Sequence, residues 1–452
     1  MIAVLPVFAA WGAGWLWVLA LRRPCGEPAA ARWAMDLALG FALGVGASAT
    51  LFFVLLAAGL GPAPAAIVSD MLALGGGLVF WWRRRNRLVE PADPPPAFKW
   101  AWLGWIGLAV SAAFLAGSMA QTQSTMPQGD WDAWAIWNMR AKFLASDGAW
   151  RGAVSPELSQ RTHPEYPLLW SSATAKAWSW TGETGHPAAP AAAGALASLA
   201  LITMLLAGIW TLRGAASGAM AALALITAVP FWQYAALQYA DIPLSMFMVG
   251  ALCLAVLAER QEWAPGLMAL SGVLASLAAW TKDEGLVFCS ALGITVLVMA
   301  RKRALIWAMA AAPVALVVVV FKLTLAPGSA VWGAHRGDFG GRLGLILLTF
   351  WDEIIGLGHF PAHPLVVVAA CVILLGVRRP LRPVWPLIPV AFLGASYIGA
   401  YLATTADLKW HLQSSAGRLL LQISPLVLFC LFLLLRTPVN GTPAAQQARK
   451  KR

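Results

Sequence analysis

Long apolar runs alternate along this chain with short charged connections. A hydrocarbon core of about 30 Å takes roughly 20 apolar residues in helical form. Runs of that kind lie at 2–21, 35–60, 64–82, 100–120, 187–210, 215–235, 243–258, 265–281, 285–300, 304–324, 363–377, 384–403 and 418–436, which predicts thirteen transmembrane helices. Helix is the only fit, because a span must satisfy its own backbone in lipid and these runs are too long for barrel strands. The polar positions between them divide by sign. One set of connections receives Arg22, Arg23, Arg32, Arg83, Arg84, Arg85, Arg87, Lys99, Arg213, Arg260, Arg301, Lys302, Arg303, Arg378, Arg379, Arg382 and Arg436, with the tail Arg449 to Arg452. Such a set is expected on the cytoplasmic side. The opposite set receives Asp130, Asp132, Asp147, Glu157, Glu165, Glu183, Asp241, Asp283, Glu284, Asp338, Asp352, Glu353 and Asp407, and all six histidines (163, 186, 335, 359, 363 and 411). The register of spans is never broken to obtain this division, so the N-terminus is expected outside and the C-terminus inside. Met1 to Leu21 has no cation before its apolar run and two after it, the reverse of a cleavable signal, so it reads as a retained first helix.

Two stretches do not span. Residues 83–99, with their run of prolines, read as a cytoplasmic linker between a three-helix part (1–82) and a larger transmembrane module (100–436); residues 437–452 form a basic tail. Residues 121–186 form one large external loop. Within it Trp134–Leu144 has the Trp, Arg and Lys content of a helix lying in the headgroup layer. Leu345–Phe360 reads as a second interfacial helix, because Asp352 and Glu353 make it a poor span.

Composition narrows the function class. Of 452 residues, 60% are hydrophobic and only 12% charged, and the mean hydropathy is +0.70; soluble domains carry about 25% charged residues. The chain is therefore a polytopic membrane protein, and its net charge of +12 is explained by loop position rather than by nucleic-acid binding. Localisation in the cytoplasmic (inner) membrane follows as the expectation. Five cysteines, four of them inside apolar runs, form no disulfide framework and no metal spacing, and read as packing residues.

The densest chemistry lies in Gly129–Trp170, directly after a span. Asp130 and Asp132 bracket Trp131, and Trp134, Arg140 and Lys142 follow. Two carboxylates two residues apart suit a general base or a divalent metal; the bland account is a helix cap beside a solvated acid. His163-Pro-Glu165-Tyr166-Pro-Leu-Leu-Trp170 begins a helix after two prolines, or is only an interfacial turn with aromatic anchors. Asp241, in Gln-Tyr-Ala-Asp-Ile-Pro, sits at the outer mouth of a span, and Lys282-Asp283-Glu284 makes a tight outward turn; a solvated cap explains each equally well. At the last span His411 and Arg418 stand together, and an arginine at a helix start opposes the helix dipole, which favours an anionic partner such as phosphate.

These elements occur in one order: an Asp-rich first external loop, Tyr-Pro-Leu-Leu, Tyr-Ala-Asp-Ile-Pro, Leu-Ala-Ala-Trp-Thr-Lys-Asp-Glu-Gly and Gly-Arg-Leu-Leu-Leu-Gln-Ile-Ser-Pro. Together they resemble the polytopic GT-C class of glycosyltransferases, in the broad group of protein O-mannosyltransferases and lipid A aminoarabinose transferases (glycosyltransferase family 39-like). The resemblance covers roughly Lys99 to Leu435. It implies an all-α GT-C-like bundle and a sugar donor carried on a polyprenyl phosphate. It also implies a lipid, glycan or protein acceptor, with an acid of the first external loop as base. Carried onto this chain, Asp130 or Asp132 becomes the base, and Trp134, Arg140, Lys142, His163, Glu165, Tyr166, Asp241, Lys282, Asp283, Glu284, His411 and Arg418 become the substrate-binding set. Members of the group often carry Lys-Pro-Pro-Leu where this chain has Glu165-Tyr166-Pro167-Leu168. The phosphate-binding lysine is missing here, so Lys142, Arg140, His163 or Arg418 would supply the charge. No organic cofactor is called for, and a divalent metal is left open.

A polyprenyl phosphate leaves readily once cations meet its charge, so the chemistry needs one carboxylate to take the acceptor's proton and donors for the phosphate. Direct attack would invert the anomeric centre. The competing class is a transporter or lipid flippase, which needs ionisable residues deep in its spans; Asp70 and Lys322 are the residues that would serve.

Overall fold

The computed structural model describes residues 2–22, 27–84, 101–158, 162–328, 339–358, 363–381 and 383–437. The expected linker beyond Arg84, the tail from 438, and Cys25, His335, Asp338 and His359 lie outside the described residues. Within them the chain is helical, with no strand and one isolated bridge between Val377 and Leu435. The helices are α1 (Leu5–Leu21), α2 (Ala29–Ala57), α3 (Pro62–Arg84), α4 (Ala101–Thr125), α5 (Asn138–Leu144), α6 (Leu169–Thr181), α7 (Ala188–Arg213), α8 (Ala215–Ile226), α9 (Val229–Ala235), α10 (Asp241–Arg260), α11 (Pro265–Thr281), α12 (Asp283–Ala300), α13 (Ala304–Thr324), α14 (Phe339–Ile355), α15 (Pro364–Leu375), α16 (Leu387–Ala403) and α17 (Leu408–Leu434).

Among the described residues, seven helical stretches are long and apolar enough to cross a membrane, or eight if the bent pair α8–α9 is one span. They fit a multi-pass integral membrane protein. One of the seven, Asp283–Thr324, runs for 42 residues. A straight helix of that length would reach about 60 Å, twice the hydrocarbon core. It is divided at the short turn Arg301–Arg303, where Arg301 has φ 50°, into α12 and α13. Three of the expected spans are shorter apolar helices, α11, α15 and α16.

The expected continuous span at 215–235 is instead broken, its two halves meeting at 73°. Pro230, at the start of α9, has no N–H to continue the ladder. The neighbouring Val229 N–H is satisfied across the fold by the Leu357 carbonyl at 2.7 Å. Of the two stretches expected at the interface, 134–144 is helical throughout, and 345–360 is helical as far as Ile355, with 359–360 outside the described residues. The first opens with a π-helical turn, Ala133–Trp137, before α5; the second is α14.

The helices of 1–82 pack directly into the larger module, α2 against α6 and α7 and α3 against α6. Small residues allow the closest approaches. A Cβ on Gly14 would meet the Gly40 carbonyl oxygen at 2.1 Å, and one on Gly44 would meet that of Ala10 at 1.8 Å, so α1 and α2 touch backbone to backbone. At the centre stands α10, whose most apolar 18-residue window is buried throughout, enclosed chiefly by α7, α11 and α17. Its two ends carry opposite character. Asp241 opens it beside Lys282, while Arg260, at its far end, reaches the Leu212 carbonyl near Arg213. The acid-rich end of the bundle lies at Asp241, and the far end of α10 gathers Arg213 and Arg260.

Candidate functional site

The acid-rich end is built up from Gly129. Its φ is +75°, and a Cβ there would lie 2.4 Å from the Leu237 carbonyl oxygen, so only glycine lets the chain turn so close to the α9–α10 connection. The turn presents Asp130, exposed, with its carbonyl accepting the N–H groups of Ala133 and Trp134, and its carboxylate in no ion pair among the described residues. Two residues on, Asp132 is ion-paired with Arg418 of α17. The helical turn that begins at Trp131 sets the two acids apart: Asp132 is committed to Arg418 and Asp130 is open.

Arg140 serves a different purpose from a phosphate ligand. It is fully buried, and its guanidinium donates to the carbonyls of Ala153 (2.9 Å), His163 (3.4 Å), Pro164 (3.3 Å) and Tyr166 (2.6 Å). Burial lowers its pKa to about 9, which leaves it charged at neutral pH. The clamp holds His163 at φ 47°, a left-handed conformation that costs a non-glycine residue about 1–3 kcal/mol. His163 in turn meets Glu165 at 3.2 Å and stacks on Tyr166 with ring centres 4.5 Å apart. Burial raises the Glu165 pKa, but the hydrogen bond and charge of His163 outweigh it, and the carboxyl lies below its ordinary value.

The third component joins α10, the α11–α12 turn and α17. Lys282, buried, contacts Asp241 at 2.9 Å and Glu284 at 3.2 Å, and lies 5.7 Å from the Tyr166 ring centre. Burial works against its charge, but the two carboxylates prevail and its pKa is raised. Gln422 of α17 donates to Asp241 and, at 3.4 Å, to Glu284, while its carbonyl accepts from the Tyr397 hydroxyl at 2.9 Å. Lys322 of α13 closes the network on Asp283 at 2.6 Å and on the Glu165 carbonyl at 2.8 Å.

Two cavities open between these parts. The larger, of about 1160 Å³, is walled by the end of α4, the first loop, α9 and the start of α17, and Asp130, Trp131, Asp132, Trp232, Tyr239 and Trp410 are among its lining. The smaller, of about 190 Å³, is lined by Glu165, Asp241, Lys282, Asp283, Glu284 and Gln422 with residues of α16. His163, Tyr166, His411, Ser415 and Arg418 line both, so the chambers share one wall. Arg418 is the hinge of that wall: its Nη1 is held by Asp132, while its buried Nε–H has no acceptor among the described residues.

Of the residues singled out from sequence, Asp130, Asp132, His163, Glu165, Tyr166, Asp241, Lys282, Asp283, Glu284, His411 and Arg418 are brought to the two cavities. Trp134, Arg140 and Lys142 line neither. Trp134 is exposed edge-on to Trp131, their ring centres 4.7 Å apart, and Trp131 is the one facing the cavity. Lys142 is exposed, its stem alongside Gly185. Sequence reasoning missed Gln422, although an uncharged amide inside an apolar run was a usable signal. It also missed Lys176, which pairs with Asp70 at 2.6 Å across α6 and α3 and so removes Asp70 from any open pathway. Among the described residues no three His, Cys, Asp or Glu side chains converge as a metal-binding set. No family model, curated protein or solved structure matches this chain.

Proposed function

We propose that this chain is a membrane glycosyltransferase that moves a sugar from a polyprenyl-phosphate donor to an acceptor at the acid-rich end of the bundle. On this reading the chain crosses the inner membrane thirteen times, the site faces the exterior, and Asp130 is the general base. The observation that carries it is the division of labour in the first loop. Asp130 is an open carboxylate in the wall of a large aromatic cavity, while Asp132 is bound to Arg418, which lines the same cavity. The acceptor hydroxyl would attack the anomeric carbon while Asp130 takes its proton. The bond from that carbon to the phosphate oxygen would break with its electron pair on the phosphate, where Arg418 offers N–H donors. Attack opposite the leaving group inverts the anomeric centre.

The test is transfer from a purified polyprenyl-phosphate sugar by Asp130→Asn and Asp132→Asn, with donor affinity measured in parallel. Loss of a general base lowers rate by about 10²–10⁴-fold, so Asp130→Asn should lose that much with donor binding intact. Asp132→Asn should alter donor binding through Arg418. Wild-type turnover by both variants would remove the first loop from the chemistry. A transporter or flippase would need Asp70 or Lys322 open to a pathway, and both are held in ion pairs; that reading predicts substrate movement across a vesicle wall with no glycosidic bond made.

A further inference from the structure

The far end of α10 gathers more positive charge than helix capping requires. Three helices of span length, α7, α10 and α17, finish there, at or just before Arg213, Arg260 and Arg436. Arg213, 5% exposed, clasps the last turns of two of them. Its Nε and Nη2 donate to the Leu433 carbonyl at 2.9 and 2.5 Å, and its Nη1 to that of Leu212 at 3.1 Å. Arg260 donates to the same Leu212 oxygen at 3.5 Å, so two guanidiniums share one acceptor. Beside Leu433 the chain ends of α15 and α17 pair through their backbones. The Arg378 N–H donates to the Leu434 carbonyl at 2.9 Å, and the Arg436 N–H to that of Gly376 at 3.0 Å. That pairing brings two more arginines to the same place.

Arginines at a helix C-terminus cap its last carbonyls and suit its dipole, which accounts for Arg213 and for one bond of Arg260. It does not account for four together with so little negative charge. Among the described residues the charges acting on Arg213 are Arg260 and Arg378, both of like sign. Glu259 is the acid that acts on Arg260, and its Oε2 accepts from the Trp385 indole at 2.8 Å. None of Arg213, Arg260 and Arg436 is in an ion pair among the described residues. Like charges held this close repel unless an anion joins them. The tryptophans nearby set the level. Trp210, one turn before Arg213, meets Trp105 of α4 with ring centres 5.5 Å apart, and Trp102 on the preceding turn of α4 is exposed. Tryptophan beside arginine at the ends of spans marks the headgroup layer. The anion present at that level is lipid phosphate, whose oxygens match the guanidinium fork. Arg260 and Arg436 are exposed and Arg378 is half-buried, so the cluster can be reached.

We infer that Arg260, Arg378 and Arg436, backed by the buried Arg213, bind the phosphate of an anionic lipid headgroup at the end of the bundle opposite the two chambers. Arg213 is the positioning residue: it ties α7 to α17 and holds the other three arginines close. The site makes no use of the transferase reading and stands or falls without it.

Native mass spectrometry of the purified full chain tests it, with phosphatidylglycerol and phosphatidylcholine of the same acyl chains as probes. Wild type should hold phosphatidylglycerol about tenfold more tightly, or better, since each arginine near an anionic lipid surface is worth about fivefold in affinity. Equal affinity for the two lipids overturns the inference before any variant is made. Arg260→Gln/Arg378→Gln should weaken phosphatidylglycerol binding by about 25-fold on the same scale. Arg83→Gln/Arg301→Gln removes as much charge from exposed arginines that do not act on Arg213 or Arg260. That control should stay within about twofold of wild type, because charge beyond a Debye length is screened. Equal losses in the two double variants would show a diffuse field rather than a site, and overturn the inference. Should the first double variant not fold, Arg436→Gln alone should cost about fivefold, and no loss there overturns it equally. An excess of glycerol 3-phosphate decides the source of the phosphate. Failure to displace the lipid supports a headgroup site, while displacement at equal affinity gives the arginines to a soluble phosphate ester and overturns the lipid assignment.

Discussion

Replacing Lys282 by methionine isolates what the buried network contributes. The side chain keeps its length but loses the ammonium that meets Asp241 at 2.9 Å and Glu284 at 3.2 Å. Asp241 would then be a buried carboxylate with only the Gln422 amide for a partner. Removing one partner of a buried ion pair costs about 3–5 kcal/mol, because the remaining charge is left uncompensated. An exposed pair would cost about 0–1 kcal/mol. Lys282 is 5% exposed and Asp241 1%, so the larger figure applies. The double variant Lys282→Met/Asp241→Asn removes the more deeply buried of the two stranded charges, leaves Glu284 on the Gln422 amide at 3.4 Å, and should be more stable than Lys282→Met alone. Reversible unfolding in mixed micelles, followed by circular dichroism, gives the four free energies of the cycle. A cost below about 1 kcal/mol for Lys282→Met, or a double variant as unstable as the sum of the singles, would show that the turn is solvated and that this account of the α10–α12 junction is wrong.

Three further outcomes are expected. Arg418→Ala should weaken binding of a polyprenyl phosphate more than Arg418→Lys, which keeps the charge and loses the fork; equal affinity of wild type and Arg418→Ala, measured by native mass spectrometry, would contradict the phosphate role. Arg140→Met should destabilise by about 3–5 kcal/mol, leaving four carbonyls without their donor, and should change donor affinity only in proportion to unfolded protein; a folded variant with selectively lost binding would mark Arg140 as a ligand after all. A cysteine at Ser155 should react with a membrane-impermeant thiol reagent added outside intact cells, and labelling only after lysis would reverse the topology.

The helical class and the polarity of the bundle were legible because both are written in one dimension. An apolar run of span length and the sign of the next loop need no knowledge of distant partners. The acid-rich end was legible for a related reason: the loops that carry Asp130, His163, Asp241, Lys282 and Arg418 all had to emerge on one side, and few ways exist to place them far apart. Partnership was not legible. Nothing local distinguishes Arg140, which is spent on backbone carbonyls, from Arg418, which reaches a carboxylate 286 positions away. The same holds for Lys176 and Asp70, each unremarkable until α6 lies on α3. The break at Ala228 was marked by Pro230, yet a proline can also kink a span without dividing it. The carbonyl that completes the break comes from Leu357, outside any local window.

The enclosure of α10 has a consequence for biogenesis. Once the fold is complete, this helix touches almost no lipid, so its apolar sequence is not required by its final surroundings. A translocation channel still has to release it sideways into the bilayer, and that step reads hydrophobicity alone. The run from Ile242 to Ala258 therefore serves insertion, while Asp241 and Ser245, whose hydroxyl donates to the Gln422 carbonyl at 2.9 Å, serve assembly. Their partner on α17 is synthesised some 180 residues later. Until then the N-terminal face of α10 waits for the helix that will complete it. Both chambers draw a wall from α17, so neither is closed until that helix has been made and has packed on α10.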